Sequence, residues 1–311
     1  MTYRQVSGER PRRLAKGARG SDREIARGGS PVEREAYVHR RREADAEGHD
    51  RRRTLARELA AHVPLRIDPE VGFLRAQPGD VPGTDAVVAA ALRLIEAVGK
   101  EALLRDRKKP MAKGFLPAGD LTLESPYLRL ALGDEVVSIV SDYLGMIPVL
   151  TYVDVWYSPH EEKPPRSSQL FHLDNADVRQ VKLFLHCEDV LAASGPLTVL
   201  DASTSRRLAN QIGYRLSQTR VDDETVERTL GGARWVALEG SAGAAAFVDT
   251  SRCFHFGSRV EAAAAPRKLV VFQYLTPYAF DFESDHRDEA PFRGLVSESS
   301  SERERLVLGA D

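Results

Sequence analysis

The apolar residues in the first half of the chain are spaced as in helices. In residues 85–104 valine, alanine, leucine and isoleucine recur every three or four positions, which predicts an amphipathic helix. A second helix is predicted over 134–144, because two acidic residues stand at its start and Gly145 follows its end. Residues 32–62 lack such a stripe, but their alanine, leucine, glutamate and arginine content favours helix, above all over 50–61.

The pattern changes after Gly145. Short runs rich in valine, leucine, phenylalanine and tyrosine alternate with proline, glycine and other turn-forming residues, and one helical segment, 203–216, interrupts the series. These runs predict strands at 149–157, 181–187, 196–200, 235–238, 244–249 and 268–275. Helices followed by many strands predict an α+β fold, mainly β, in which helices pack outside a sandwich or barrel.

The predicted organisation is a flexible arm followed by one domain. Residues 1–30 are rich in glycine, arginine and serine and show no apolar period, so we expect a flexible basic arm there. Residues 31–311 are expected to form a single domain. It has a helical N-terminal part at about 31–145, a β core at about 146–280 and a C-terminal tail.

Composition narrows the class of protein. Of the 311 residues, 42% are hydrophobic and 29% charged, which excludes a chain that is disordered throughout. No stretch approaches the ~18 consecutive apolar residues of a membrane span, and the N-terminus lacks the apolar segment of a secretory signal. Two cysteines, Cys187 and Cys253, cannot build a disulfide framework or a CxxC zinc site. We therefore expect a cytoplasmic protein that is not associated with a membrane.

The net charge of −2 conceals an uneven distribution. Residues 1–57 carry 16 basic and 9 acidic side chains, whereas the remainder of the chain is acidic on balance. A basic arm can indicate nucleic acid binding, but here acidic residues are interleaved and aromatic residues for base stacking are nearly absent. We predict a solvated arm and no nucleic-acid partner. A steeply salt-dependent interaction that is lost on deleting 1–57 would contradict this.

Common nucleotide-binding and hydrolase motifs are missing from the sequence. There is no GxGxxG between a strand and a helix, no Walker A sequence, no GxSxG and no HExxH. Nucleotide hydrolysis and serine hydrolysis are therefore not favoured.

A His-x-Asp pattern at 172–174 is the strongest chemical signal. In an extended segment residues i and i+2 face the same side, so His172 and Asp174 would project together. His255, which lies between two phenylalanines, is the best candidate for a third ligand. Two histidines and one carboxylate on one side of a metal form the facial triad of non-haem Fe(II) oxygenases, which leaves positions open for a keto acid and O₂.

Each of these residues also has a plainer interpretation. His172 could be a surface histidine paired with its neighbour, and His255 a half-buried histidine with satisfied hydrogen bonds. Arg267, at the head of the predicted strand 268–275, could bind the far carboxylate of a dicarboxylate through both guanidinium nitrogens, or it could lie exposed on an edge strand.

The wider pattern resembles a known family. The stretches SSQLFHLDNADVRQVKLFLHCEDV, SGPLTVL, GSAGAAAFVDTSRCFHFGSR and RKLVVFQYL, within about 112–278, are similar in content and order to the phytanoyl-CoA dioxygenase family of Fe(II)/2-oxoglutarate oxygenases. The sequence departs from that family after GPL, where a common Gly-Ser-His turn is replaced by Leu-Asp-Ala-Ser. This departure affects the substrate loop and leaves the His-x-Asp pattern intact.

The resemblance implies a fold, cofactors and ligands. The fold is a double-stranded β-helix (jelly-roll, cupin-like) core with helices against its larger sheet. The cofactor is Fe(II), with 2-oxoglutarate as cosubstrate and O₂ as oxidant. His172, Asp174 and His255 would ligate the iron, and Arg267 would anchor the C5 carboxylate of 2-oxoglutarate. Related halogenases have a small residue in place of Asp174, so its presence favours hydroxylation or another oxidative outcome.

Other residues are candidates for binding cosubstrate or substrate. On the strand 181–187, Lys182 and Phe184 share a face that points either into the barrel or away from it; if inward, Lys182 would reach cosubstrate or substrate and Phe184 would line the pocket. Two residues flanking the His-x-Asp motif are predicted to hydrogen-bond cosubstrate or substrate, Gln169 and Asn175. Trp156 and Lys113 are also predicted to line the substrate cavity. The alternative for Trp156 is packing in the core, and the alternative for Lys113 is exposure to solvent.

The expected function is a dioxygenase that hydroxylates or otherwise oxidises an unactivated C–H bond of a small molecule, with release of succinate and CO₂. A role in a biosynthetic pathway is expected. The alternative is a non-catalytic jelly-roll module with a binding or regulatory role. The oligomeric state is not predicted.

Overall fold

Antiparallel sheets flanked by helices make up the fold of this computed structural model. It describes residues 25, 28–61, 63, 65–99, 113–216, 220–232, 235–280, 282 and 290–310. The arm predicted for 1–30 therefore lies almost entirely outside the described residues. The last part of the helix predicted over 85–104 lies outside them as well.

In the described ranges, five α-helices precede the main β-strands, two lie between strands and one follows them. Their bounds are α1 Pro31–Ala44, α2 Ala46–Ala60, α3 Thr84–Val98, α4 Pro126–Ala131, α5 Asp134–Leu144, α6 Ala202–Ile212, α7 Asp223–Leu230 and α8 Glu302–Val307. The helix predicted over 134–144 is confirmed as α5. The region 32–62 forms two helices, because the backbone of Asp45, with φ −124° and ψ 52°, ends α1 and begins α2.

The part of the chain that the structure describes contains nine strands in two antiparallel sheets. Their bounds are β1 Phe73–Ala76, β2 Lys113–Gly114, β3 Val149–Ser158, β4 Gln180–His186, β5 Thr198–Val199, β6 Val236–Ala237, β7 Ala245–Val248, β8 His255–Phe256 and β9 Arg267–Leu275. The larger sheet has the order β1-β7-β4-β9-β3-β2, and the smaller one the order β6-β5-β8. The six predicted strands are confirmed within a few residues at each end, whereas β1, β2, β8 and α7 were not predicted.

Along the chain, strands alternate between the two sheets. After β3 in the larger sheet, His172 bridges to His255 of β8 in the smaller one. The chain then returns to the larger sheet with β4, enters the smaller sheet with β5 and β6, and continues with β7 in the larger, β8 in the smaller and β9 in the larger sheet. This winding is a double-stranded β-helix, so the predicted jelly-roll core is confirmed.

The two faces of the larger sheet have different surroundings. Leu183, Phe247 and Phe272 lie on the outer face and pack against helices that include α3, α4 and α5. Phe184 and Val271 lie on the inner face, toward the smaller sheet. Strict alternation of side chains along β4 and β9 produces this division. The same alternation directs polar side chains of the two strands, such as Lys182 and Arg267, into the barrel. No helix in the described ranges is long and apolar enough to cross a membrane.

Buried arginines attach the N-terminal helices to the β core. Arg52 on α2 is buried, and its Nη1 donates to the carbonyl oxygens of Ile147, Pro148 and Leu306 at 3.0, 3.4 and 3.2 Å. These carbonyls belong to the segment before β3 and to α8, so one guanidinium joins three parts of the fold. Charged donors to buried carbonyls are among the stronger protein hydrogen bonds.

Replacing Arg52 should be far more costly than replacing its neighbour Arg51. Arg52→Ala leaves three carbonyl oxygens without their charged donor, and we expect a loss of about 2–4 kcal/mol in the free energy of unfolding. Arg51 is exposed and pairs with Glu302, so Arg51→Ala should cost under about 1 kcal/mol. Urea unfolding of both variants measures the difference. Equal losses would contradict the anchoring role of Arg52.

Candidate functional site

His172, Asp174 and His255 meet inside the barrel. Residues 172 and 255 exchange two backbone hydrogen bonds of 3.1 Å, which places the two histidines side by side with ring centroids 4.3 Å apart. The backbone N–H of Asp174 donates to the carbonyl of Thr250 at 2.8 Å. One nitrogen from each ring and one carboxylate oxygen all lie within 4.8 Å of one another, so this group could hold a metal ion.

Hydrogen bonds to the backbone fix the orientation of both imidazole rings. Nδ1 of His172 lies 2.9 Å from the carbonyl of Leu170, and Nδ1 of His255 lies 3.0 Å from the carbonyl of Cys253. A carbonyl oxygen only accepts, so each Nδ1 carries the proton and each Nε2 has a free lone pair. Nε2 of His255 points to Asp174 Oδ2 at 3.9 Å. Metal-ligating histidines are typically held in this way.

The protonation states suit a divalent metal. Burial lowers the pKa of His172 to about 3, and electrostatic repulsion between the two neighbouring histidines is the second cause. Burial also lowers the pKa of His255. Burial alone would raise the pKa of Asp174, but Lys182 and the two histidines outweigh it and hold that pKa well below its usual range. At neutral pH the group therefore offers two neutral imidazoles and one carboxylate, the donor set of the facial triad.

Asp174 is held by two side chains of β4. Lys182 Nζ lies 2.6 Å from Oδ2, and Gln180 Nε2 donates to the same oxygen at 3.2 Å. The Gln180 amide also donates to Thr250 Oγ1 at 2.5 Å, so it connects the carboxylate to the segment before β8. Sequence reasoning missed Gln180, although its two-residue spacing from Lys182 on a predicted strand is a signal that could have identified it.

Arg267 is a buried cation at the head of β9. Its Nη1 donates to the carbonyl of Gly195 at 2.5 Å and its Nη2 to Ser258 Oγ at 2.7 Å, while its Nε has no hydrogen-bond partner. Burial lowers the pKa of Arg267 to about 10, which still leaves it charged at neutral pH. Within the described part of the chain no carboxylate pairs with this guanidinium. The exposed edge-strand alternative for Arg267 is wrong.

Gly257 relates the guanidinium to the histidine pair. A Cβ placed on Gly257 would lie 3.3 Å from both terminal nitrogens of Arg267, so glycine allows the close approach. Gly257 follows His255 by two residues, an interval of roughly 7 Å in extended chain. The cation therefore lies a short distance along the barrel from the His-Asp-His group.

The inner face of the larger sheet completes the surroundings. Lys182 and Phe184 point into the barrel, which decides the orientation that the sequence left open. Trp156 also lies on this face, and its Nε1 donates to the Tyr152 hydroxyl at 2.8 Å. That hydroxyl in turn donates to Asp154 Oδ2 at 2.8 Å.

Three other candidates have different surroundings. The side-chain amide of Gln169 is buried: it donates to the carbonyl of Ser258 at 2.9 Å, and its oxygen accepts from the backbone of Arg166 at 3.3 Å. The carbonyl of Asn175 accepts from Arg34 on α1 at 3.0 Å. Lys113 lies in β2 opposite Tyr157, and its side chain lies outside the described part of the structure.

Comparisons with known proteins give structural likenesses only. No protein-family model matches the sequence, and no curated protein matches it. The resemblance to the phytanoyl-CoA dioxygenase family therefore stays a prediction.

Several solved structures resemble the fold. The non-haem α-ketoglutarate-dependent epimerase SnoN from nogalamycin biosynthesis is 16% identical, with 72% of this chain and 84% of that chain covered and a TM-score of 0.46. EctD from S. alaskensis in its apo form is 16% identical, with 80% and 94% covered and a TM-score of 0.49. HygX from Streptomyces hygroscopicus, with nickel and 2-oxoglutarate bound, is 17% identical, with 67% and 83% covered and a TM-score of 0.44. These likenesses are distant and concern the fold alone.

Asp154 joins the inner face to β2. Its Oδ1 accepts from the backbone N–H groups of Phe115 and Leu116, both at 2.9 Å. A Cβ on Gly114 would lie 1.9 Å from Asp154 Oδ2, so only glycine fits at that position of β2. Burial raises the pKa of Asp154 to about 6, although hydrogen bonds to the carboxylate oppose the shift.

Asp154→Asn should flatten the pH dependence of stability. Because the folded-state pKa is raised, the stabilisation from Asp154 is fully present below about pH 4 and is lost as pH rises through about 6. Asparagine does not titrate, so the variant should gain roughly 3 kcal/mol relative to wild type between pH 4 and 7. Urea unfolding across this range measures the difference, with the exposed Asp85→Asn as control. Parallel curves for Asp154→Asn and wild type would contradict the prediction.

Proposed function

We propose that this protein is an Fe(II)- and 2-oxoglutarate-dependent dioxygenase that hydroxylates, or otherwise oxidises, an unactivated C–H bond of a small molecule. One observation carries the proposal. A group of two neutral imidazoles and one carboxylate lies beside a buried guanidinium that has no carboxylate partner among the described residues. The fold and these residues agree with the family resemblance in the sequence.

His172, Asp174 and His255 are the residues proposed to hold the iron. The fit is supported by the free Nε2 lone pairs on both rings and by the single carboxylate between them. Three ligands on one side of a metal leave its other side open to a chelating keto acid and to O₂. Gln180 and Lys182 keep the carboxylate from turning away, which is the usual function of outer-shell partners.

Arg267 is the residue proposed to bind the distal carboxylate of 2-oxoglutarate. A buried guanidinium without a counter-ion is costly, and a bound dicarboxylate would supply the missing negative charge. Its partners Gly195 and Ser258 hold the guanidinium in one orientation. Lys182 is a second cation on the inner face and is proposed to contact the cosubstrate, and Gln169 is proposed to stabilise the segment around Ser258 that receives it.

Iron bound with 2-oxoglutarate and O₂ supplies an oxidant for an unactivated C–H bond: one oxygen atom enters the substrate, the other enters succinate, and CO₂ leaves. The protein's contribution is orientation and exclusion of water. Buried apolar side chains such as Phe184 and Val271 line the inner face beside the polar groups and would limit the access of water. Water exclusion strengthens the contacts that Arg267 and Lys182 make with anionic groups.

Asn175, Phe184 and Trp156 are proposed to line the cavity that binds the substrate. Lys113 is proposed to line the same cavity, on the sequence alone. We further propose that residues 31–311 act as one catalytic domain on a small-molecule substrate. A reducing, cytoplasmic location is proposed as well, since both cysteines are buried and unpaired.

An anaerobic titration with Fe(II) and then 2-oxoglutarate tests the proposal. We expect the visible charge-transfer band of the iron–keto acid chelate to develop in wild type, because three ligands and a carboxylate anchor are available. His172→Ala should abolish the band by removing a ligand. Arg267→Ala should retain iron but require at least about tenfold more 2-oxoglutarate, because a charge-assisted contact is lost. Absorption spectroscopy measures all three.

Two variants serve as matched controls. His160→Ala removes a histidine outside the His-Asp-His group, one that contacts the carbonyl of Val260. Lys268→Gln removes the cation next to Arg267 in sequence, which points to the other face and pairs with Glu188. Both should give the wild-type band. A wild-type protein that retains no iron and gives no band would refute the dioxygenase and favour a non-catalytic jelly-roll module.

A further inference from the structure

Residues 171–172 have partners on both sides. Phe171 and Val221 exchange two backbone hydrogen bonds of 2.9 Å, and His172 and His255 exchange two of 3.1 Å on the opposite side. The segment is therefore the middle of three short antiparallel strands. In an antiparallel pair, the residue after Phe171 lies opposite the residue before Val221, so the register places Arg220 opposite His172.

Side-chain alternation separates these strands into two rows. Phe256, Phe171 and Val221 form the outer row, in the cluster beneath α6 and α7; the first two rings touch edge to face, with centroids 4.7 Å apart. His255 and His172 form the inner row, and the register adds Arg220 to it. Cβ atoms of directly opposite residues lie roughly 5 Å apart. The Cβ atom of Arg220 therefore lies beside that of His172, a proposed metal ligand.

Arg220 differs from the two histidines in exposure. Both histidines are buried, whereas Arg220 is exposed, so the inner row leads from the metal group to solvent. Arg220 therefore stands at the solvent-facing end of the row, at the entrance of the proposed site.

Tyr214 adds a second polar group at this entrance. Its hydroxyl oxygen accepts from the backbone N–H of Leu173 at 3.2 Å, and its ring packs edge to face on Phe254 with centroids 4.7 Å apart. The hydroxyl hydrogen is directed away from that donor, so it can be donated to a ligand. Tyr214 and Arg220 both belong to the connection between β5 and β6 that also carries α6 and α7.

We propose that Arg220, assisted by Tyr214, binds an oxyanion on the substrate, so that the enzyme oxidises a small acid that carries a carboxylate, sulfate or phosphate group. The inference rests on the proposed dioxygenase function and adds the substrate class to it. A planar guanidinium binds such groups through two parallel hydrogen bonds. An arginine side chain that begins beside His172 would hold the anion within about 10 Å of the metal, which is the distance scale of a small molecule.

The sign of the local charge favours an acid over an amine. Lys182 is neutralised by Asp174, and Arg267 is proposed to bind the cosubstrate, so the charge that an approaching substrate would meet beside His172 is that of Arg220. A cationic substrate would approach Arg220 against like charge. An anion would be attracted to the same entrance.

Paramagnetic broadening provides a test that does not need the natural substrate. Protein loaded with Co(II) and 2-oxoglutarate is titrated with methylphosphonate, observed by ³¹P NMR, and separately with ¹³C-labelled acetate. Protein loaded with Zn(II) gives the diamagnetic background. We expect the ³¹P and ¹³C resonances of the probes to broaden and to reach saturation with wild type. The probe that binds more tightly shows whether the site prefers a phosphoryl group or a carboxylate.

Variants on the same connection locate the anion. Arg220→Gln should weaken probe binding at least tenfold, and Arg220→Lys should weaken it less because the charge is kept. Arg228→Gln removes an exposed arginine on α7 that pairs with Glu224, and it should behave as wild type. Circular dichroism and visible Co(II) absorption check that each variant is folded and loaded.

The outcomes separate this inference from the function on which it rests. Absence of broadening in wild type that binds Co(II) and 2-oxoglutarate would overturn the anion site and leave the dioxygenase intact. Equal broadening in wild type and Arg220→Gln would overturn the role of Arg220. Failure of wild type to bind Co(II) would overturn the proposed function and this inference together.

Discussion

The pairing of His172 with His255 of β8 is the contact on which the rest of the site depends. It brings two histidines that are far apart in sequence into direct opposition through two backbone hydrogen bonds. Asp174 then reaches the same point because it follows His172 by two residues and its own N–H is held by Thr250. Neither histidine could be placed by local structure alone, because each needs the opposite sheet segment. The double-stranded winding of the chain makes the metal group possible.

This arrangement requires polar side chains inside the barrel, and the structure compensates most of them. Lys182 is neutralised by Asp174, and Asp154 receives backbone N–H groups and a tyrosine hydroxyl. Gln180 Oε1 is buried without a partner, and Arg267 has an unsatisfied Nε and no described carboxylate to neutralise its charge. A core selected only for stability would replace such groups with apolar ones, because burying unpaired charge is expensive. A buried polar group that lacks a partner is therefore the most informative kind of residue in this fold.

The local elements of the fold and site could be predicted from the sequence. The helix at 134–144, the main strands and the His-x-Asp pattern depend on short-range periodicity, and their expected positions are close to those observed. The split at Asp45 and the short strand β8 were missed because neither has a repeating pattern. Gln180 and Arg220 were not identified as site residues because their positions depend on cross-strand register, which one sequence does not reveal. The inward face of Lys182 stayed open for the same reason.

The positions of the two arginines, Arg267 and Arg220, suggest how cosubstrate and substrate recognition are separated. Arg267 stands at the start of β9, which pairs with β3 over all nine residues and with β4 over seven, and Arg267 itself pairs with Ser158 of β3, so its backbone is fixed by the larger sheet. Arg220 stands on the connection between β5 and β6, and the one β-bridge described for this connection is the Phe171–Val221 pair. A group that must bind the same dicarboxylate in every turnover benefits from the rigid position. A group that reads a particular substrate can lie on a connection that changes without disturbing the barrel, because loops tolerate variation that core strands do not.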